Sequence, residues 1–108
     1  MKKFRRVTRS EEFSEIINNG SKVTTSCFVL CYRDKKEEYN RVGISVPKKT
    51  GNAVIRNKVK RQVRMLIDQS TALSLPYDCI IIIRKDYRVD DFEHDKNSFQ
   101  KLLKQVKI

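Results

Sequence analysis

The sequence predicts one α+β domain with the element order α-β-β-α-β-α. Three observations carry this. The chain has 108 residues, room for a single domain. Segments 10–19, 53–68 and 92–106 place apolar residues at helical spacing, whereas 22–33, 41–46 and 79–83 are alternating or continuous apolar runs. The middle helical segment lies between two strand segments, so it reads as a crossover whose flanking strands can run parallel, with a right-handed passage as the default.

Residues 1–7 form a basic arm with Lys2, Lys3, Arg5 and Arg6, and residues 8–108 form the domain. The first helix runs from Ser10 to Asn19. Thr8 with Glu11 can make a capping box, with Ser10 as the alternative cap. Phe13, Ile16 and Ile17 share its apolar face, and Gly20 suits a left-handed C-terminal cap. One strand is expected over Lys22–Arg33, apolar on both faces in its second half. The charged turn 34–40 leads into a second strand, Arg41–Val46, expected to pair with the first as a hairpin. Val42, Ile44 and Val46 point one way along it, Gly43 and Ser45 the other. Pro47-Lys48-Lys49-Thr50-Gly51 breaks that strand, and Asn52 caps a helix over 53–68. A linker containing Pro76 precedes Cys79-Ile80-Ile81-Ile82-Ile83, a β-branched run expected at the centre of the sheet, covered on both sides. A turn over 86–91 then starts the last helix, whose face is Phe92, Phe99, Leu102, Leu103 and Val106.

Charge points to the partner. The net charge is +11, from 24 Lys and Arg against 13 Asp and Glu. A field of that sign draws polyanions, nucleic acid foremost. No acidic residue occurs between Glu38 and Asp68, a stretch holding Arg41, Lys48, Lys49, Arg56, Lys58, Lys60, Arg61 and Arg64. A surface charged only for solubility mixes its signs. On a helical wheel, Ile55, Val59, Gln62, Val63, Leu66 and Ile67 fall on one face of 53–68, and Arg56, Asn57, Lys60, Arg61 and Arg64 on the other. Arg56, Lys60 and Arg64 repel at i, i+4 and i+8, which a helix without an anionic partner has little reason to tolerate. Arginine forks grip phosphate, and Lys48, Lys49 and the Gly51-Asn52 turn add anion affinity at the helix start. A band this purely cationic suits the backbone of structured RNA better than base reading in a DNA groove.

Other chemistries are poorly supported. Cys27 and Cys31 on one strand would lie ~13 Å apart, too far for a disulfide. With Cys79 they read as buried thiols of a reducing cytoplasm. There is no Cys-x-x-Cys spacing and His94 is the single histidine, so no protein metal site is expected; His94 reads as a surface residue. Asp90, Asp91, Glu93 and Asp95 sit where helix capping and the dipole explain them, so an intrinsic nuclease is disfavoured. The longest apolar run, 27–32, is too short to span a membrane, and no signal segment follows the basic start. The residues alone leave open an accessory subunit of an RNA enzyme or a general structured-RNA or ribosome-associated binding protein.

Arg41-Val42-Gly43-Ile44-Ser45-Val46, Lys48-Lys49 and the run from Gly51 to Arg64, with Arg56-Asn57, Lys60-Arg61 and Arg64 at its heart, resemble the signature of the bacterial ribonuclease P protein component. The resemblance extends from Arg6 to Val106. It implies an α/β sandwich similar to a domain of a small-subunit ribosomal protein, with a left-handed crossover through the signature helix. It implies a subunit of an endoribonuclease whose RNA component is catalytic, the protein supplying no catalytic residue. Partners would be that RNA and precursor tRNA, with no membrane and no further protein required. Magnesium would be bound through the RNA and substrate rather than by the protein. Residue by residue, Arg56, Asn57, Lys58, Lys60, Arg61, Arg64, Lys48 and Lys49 match RNA-contacting positions. Phe13, Ile17, Cys31 and Ser45 match a cleft for the single-stranded 5′ leader. Two of those cleft positions are usually aromatic and here are Ile17 and Cys31, so apolar contact would replace part of the stacking. Pro47 and Met65 also depart from the pattern.

Overall fold

The computed structural model describes residues 6–7 and 9–106. Most of the basic arm (1–5), the Thr8 capping box and residues 107–108 lie outside the described residues. The elements are α1 (Ser10–Asn19), β1 (Ser21–Thr24), β2 (Phe28–Asp34), β3 (Val42–Ser45), α2 (Ala53–Asp68), β4 (Tyr77–Ile83) and α3 (Phe92–Gln105), with short 3-10 turns at Lys48–Thr50 and Ala72–Ser74. One mixed sheet has the order β1-β2-β4-β3.

β4 takes the central place its unbroken apolar run predicts. It pairs antiparallel with β2 over seven positions, from Phe28↔Ile83 to Asp34↔Tyr77, and parallel with β3 from Val42↔Cys79 to Ser45↔Ile82. Alternation then divides the core. Phe28, Leu30, Val42, Cys79, Ile81 and Ile83 face α2 and α3, joined by Val59, Val63, Leu66, Phe99 and Leu102. Cys31 and Ile80 face α1 and pack with Ile16 and Val7, flanked by Phe13, Ile17, Val29 and Ile82. Phe28 anchors the larger core, edge-on to Tyr87 and Phe99 with ring centroids 5.7 and 5.4 Å apart.

The single strand expected over Lys22–Arg33 is two strands. The chain turns back at Thr25-Ser26-Cys27, where the Thr25 N–H donates to the Phe28 carbonyl at 2.9 Å, and β1 pairs antiparallel with β2. The polar run Thr24-Thr25-Ser26 is the local signal of this break, though it lacks the Gly or Pro that marks a turn. The expected hairpin between the second predicted strand and the first is also absent, because β3 lies on the far side of β4. Its start is fixed there by Asp78, fully buried, whose Oδ1 accepts the Arg41 N–H at 2.9 Å. The Cys79 N–H donates to the Arg41 carbonyl at 2.9 Å, and buried Asn40 donates from Nδ2 to the Ala72 carbonyl at 2.8 Å. The link 35–41 therefore crosses the end of the central strand rather than closing a two-strand turn.

Helix ends are partly as predicted. Asn52 caps α2, its Oδ1 accepting the Ile55 N–H at 3.0 Å. Gly51 before it has φ 158°, ψ −169°, a region essentially restricted to glycine. Asp91 caps α3 through the His94 N–H. Ser10 is not a cap: Arg9 holds that position without a side-chain bond. Gly20 is not left-handed, with φ −81° and ψ 168°. Its need is space, since a Cβ there would lie 2.6 Å from the carbonyl oxygens of Ile16 and Tyr32. Of the arm, Arg6 and Val7 are not free. Arg6 forms a parallel bridge with Val42, the Val7 N–H donates to the Val42 carbonyl at 3.3 Å, and Val7 is buried.

Candidate nucleic-acid interface

Two surfaces meet along β3, the edge strand beside which Arg6 and Val7 run. The first is α2. Val59, Val63, Leu66 and Ile67 seat it on the sheet. Gln62, the polar residue on that face, is bonded on both sides: its Nε2 donates to the Val89 carbonyl at 2.9 Å and its Oε1 accepts the Tyr87 hydroxyl at 2.7 Å. Burial pushes the Tyr87 hydroxyl pKa up, so it remains a donor. The helix is thus held against rotation, and its cations keep a fixed bearing. Ile55, expected to face the core, is instead 37% exposed at the first turn, under Gly51, where the helix overruns the sheet.

Arg56, Lys60 and Arg64 are half-buried along one side of α2, while Asn57, Lys58, Arg61, Lys48 and Lys49 are exposed. Among the described residues no carboxylate forms an ion pair with any of these cations. The Nε atoms of Arg56 and Arg64 are buried without an acceptor among the described residues. A guanidinium with donors unspent is suited to an incoming phosphate. Arg41, the other cation of the acid-free stretch, is different. It pairs with Glu12 and Asp78, and the guanidinium holds the Glu12 carboxyl below the usual carboxylate range. It ties α1 to the sheet and is spent structurally.

Sequence reasoning leaves Arg6 and Arg84 out of the interface. Arg6 lines a recess with Val7, Gly43, Lys60 and Arg64, extending the α2 stripe across the sheet edge. Its place in a terminal basic run gives no hint of this docking. Arg84 and Lys85 share a second recess with Lys49, Thr50 and Tyr87, so the loop after β4 joins the start of α2. The signal was present as Arg84-Lys85 closing the isoleucine strand, but only the parallel crossover brings it beside Lys49.

The second surface is the α1 side of the sheet. Phe13, Ile17, Val29 and Ile82 are half-exposed there, and Ser45 on β3 is also half-exposed. Cys31 is fully covered: it lies in the floor beneath α1 and presents no surface of its own. Burial raises its thiol pKa and pushes that of Cys79 up to about 12, so both remain thiols at neutral pH. Tyr32 packs on the opposite face, as strand alternation requires. Gly43 joins the two surfaces. A Cβ on it would come 2.7 Å from the Phe13 ring and from the Ile80 side chain and 3.3 Å from Val7, so its lack of a side chain lets Phe13 lie down on the strand.

Comparison with known proteins matches this arrangement. The family description Ribonuclease P fits residues 1–107. The chain is 42% identical to the ribonuclease P protein component of Mycoplasma capricolum, over 99% of this chain and all of that one. It is 40% identical to that of Bacillus velezensis, over 100% and 94% of the two chains. The solved ribonuclease P protein of Staphylococcus aureus superposes with a TM-score of 0.78 at 36% identity, covering 93% of each chain. That of Thermotoga maritima gives a TM-score of 0.82 at 28% identity, covering 95% of this chain and 98% of the other.

Proposed function

Because the chain belongs to the ribonuclease P protein family, a subunit of the endoribonuclease that processes tRNA 5′ ends, we propose that its two surfaces divide two RNA contacts between them. The ribonuclease P RNA is its partner. In this reading α2 and the loop before it seat the protein on that RNA, through Arg56, Asn57, Lys58, Lys60, Arg61 and Arg64 with Lys48 and Lys49. Arg6, Arg84 and Lys85 extend the contact. The cleft of Phe13, Ile17 and Ser45, floored by Cys31, takes the single-stranded leader of precursor tRNA. Half-exposed apolar groups flanked by cations hold a single strand without choosing its sequence. Catalysis and its magnesium ions belong to the RNA and substrate, with the protein's positive field lowering the magnesium needed. The setting is the bacterial cytoplasm; no helix among the described residues is long and apolar enough to cross a membrane.

One observation carries the reading most: a cationic helix seated on the sheet, with no carboxylate partner for its band among the described residues, lies against the same edge strand as a half-open apolar cleft. The test is cleavage of 5′-labelled precursor tRNA at low magnesium by a bacterial ribonuclease P RNA, with and without this protein. Strong stimulation of correct cleavage, with no cutting by the protein alone, is the expected result. Tight RNA binding without stimulation would sink it.

A further inference from the structure

Behind the loop that carries Arg84, whose N–H donates to the Cys27 carbonyl at 2.9 Å, three side chains converge that the RNA contacts do not use. Cys27 sits in the β1–β2 turn, and His94 and Asp95 are in the first turn of α3. The Cys27 Sγ lies 3.8 Å from His94 Nδ1 and 3.7 Å from Asp95 Oδ1, and those two atoms are 3.1 Å apart. Cys27 and Asp95 are wholly buried, whereas the His94 side chain is 30% exposed. The Asp86 carbonyl oxygen is 3.5 Å from the same sulfur.

These spacings decide what the cluster can do. Thiol and carboxylate both address one ring nitrogen, so there is no relay from acid through ring to nucleophile, and a catalytic triad is excluded. Bonds of 2.0–2.3 Å to a tetrahedral ion put neighbouring ligand atoms about 3.3–3.6 Å apart. The three observed separations bracket that range, so an ion fits after small side-chain rotations. The second observation is Asp95 itself. Its Oδ1 accepts the Arg88 N–H at 2.9 Å, while Oδ2 is buried with no partner among the described residues. No Lys or Arg forms an ion pair with it there; its side-chain partners are the His94 ring nitrogen and the Cys27 thiol. The Arg88 N–H orients the carboxylate as an outer-shell donor orients a metal-ligating one, with Oδ1 facing the sulfur and the ring nitrogen.

We propose that Cys27, His94 and Asp95 form a structural site for zinc or a similar borderline divalent cation, with the Asp86 carbonyl or water as the fourth ligand. The donors lie 67 residues apart in sequence, which is why no ligand spacing announces them. Bound metal would fasten the start of α3 to the β1–β2 turn and would be separate from the magnesium of cleavage.

The full chain, stripped with a chelator, is titrated with cobalt(II) and then zinc(II). A thiolate-to-cobalt band with tetrahedral visible bands, saturating at one equivalent and bleached by zinc, is expected. Cys27→Ser should abolish the thiolate band. His94→Ala, at a partly exposed position, should keep the fold by circular dichroism. It should weaken zinc more than about tenfold and lose the zinc-dependent rise in melting temperature. A pale octahedral spectrum, a thiolate band surviving in folded Cys27→Ser, or unchanged zinc affinity in His94→Ala would each overturn the site. If Cys27→Ser does not fold, His94→Ala decides.

Discussion

Phe13 lies against β3 because Gly43 leaves room for its ring, and a base stacked on that ring would gain about 1–3 kcal/mol. Phe13→Ala should therefore weaken binding of precursor tRNA by the assembled holoenzyme about 5- to 160-fold, and binding of mature tRNA little. Parallel equilibrium titrations of the two check this, and equal losses would remove Phe13 from the leader contact. Single residues are legible where one side chain sets its own place, as with the Asn52 cap and the position of the α2 arginines on the face away from the core. They are not where a distant segment decides. Asp95 resembles another capping carboxylate beside Asp91, yet it is buried under the turn around Cys27. His94 resembles a surface residue for the same reason. Arg6 looks like part of a free arm, and only its bridge to Val42 reveals its place beside Arg64.

Elements with their own periodicity are legible in the sequence. The bounds of α2 follow from Asn52 and the 3.6-residue apolar pattern, and both hold in the structure. This helix has no acidic residue in its first turn and carries the repelling series Arg56, Lys60, Arg64, so its start depends on the Asn52 cap more than usual. Asn52→Ala should cost about 1 kcal/mol, seen as a lower melting temperature of the free protein, and saturating ribonuclease P RNA should restore most of it. A variant as stable as the parent would mean that packing alone sets the helix start. Strand limits were harder. In 22–33 the β pattern continues through the turn at Thr25–Cys27, because Thr and Ser are acceptable in strands and no Gly or Pro interrupts them.

For the whole molecule, the composition and the β-α-β order predicted the α+β class, the central β4 and the parallel pairing of β3. The neighbour of β2 was not predictable from adjacency, because the contacts that move β3 across the sheet are those of Asp78 and Asn40, two polar residues buried in the core. Net charge acts at this scale as well. If α2 grips phosphates, Arg61→Ala with Arg64→Ala should reduce the slope of log affinity against log salt by about 0.7–0.9 per lost phosphate contact. Filter-binding of ribonuclease P RNA over a salt series measures it, and an unchanged slope would move the contact off this helix. The bridge between Arg6 and Val42 has a practical side. β3 is an outermost strand, and an uncovered outermost strand is a template on which a second copy can add. Here Arg6 and Val7 cap its first residue, Val42. An affinity tag or fusion partner placed upstream of residue 6 competes with that cap and invites self-association. Preparations of this protein are better tagged behind α3.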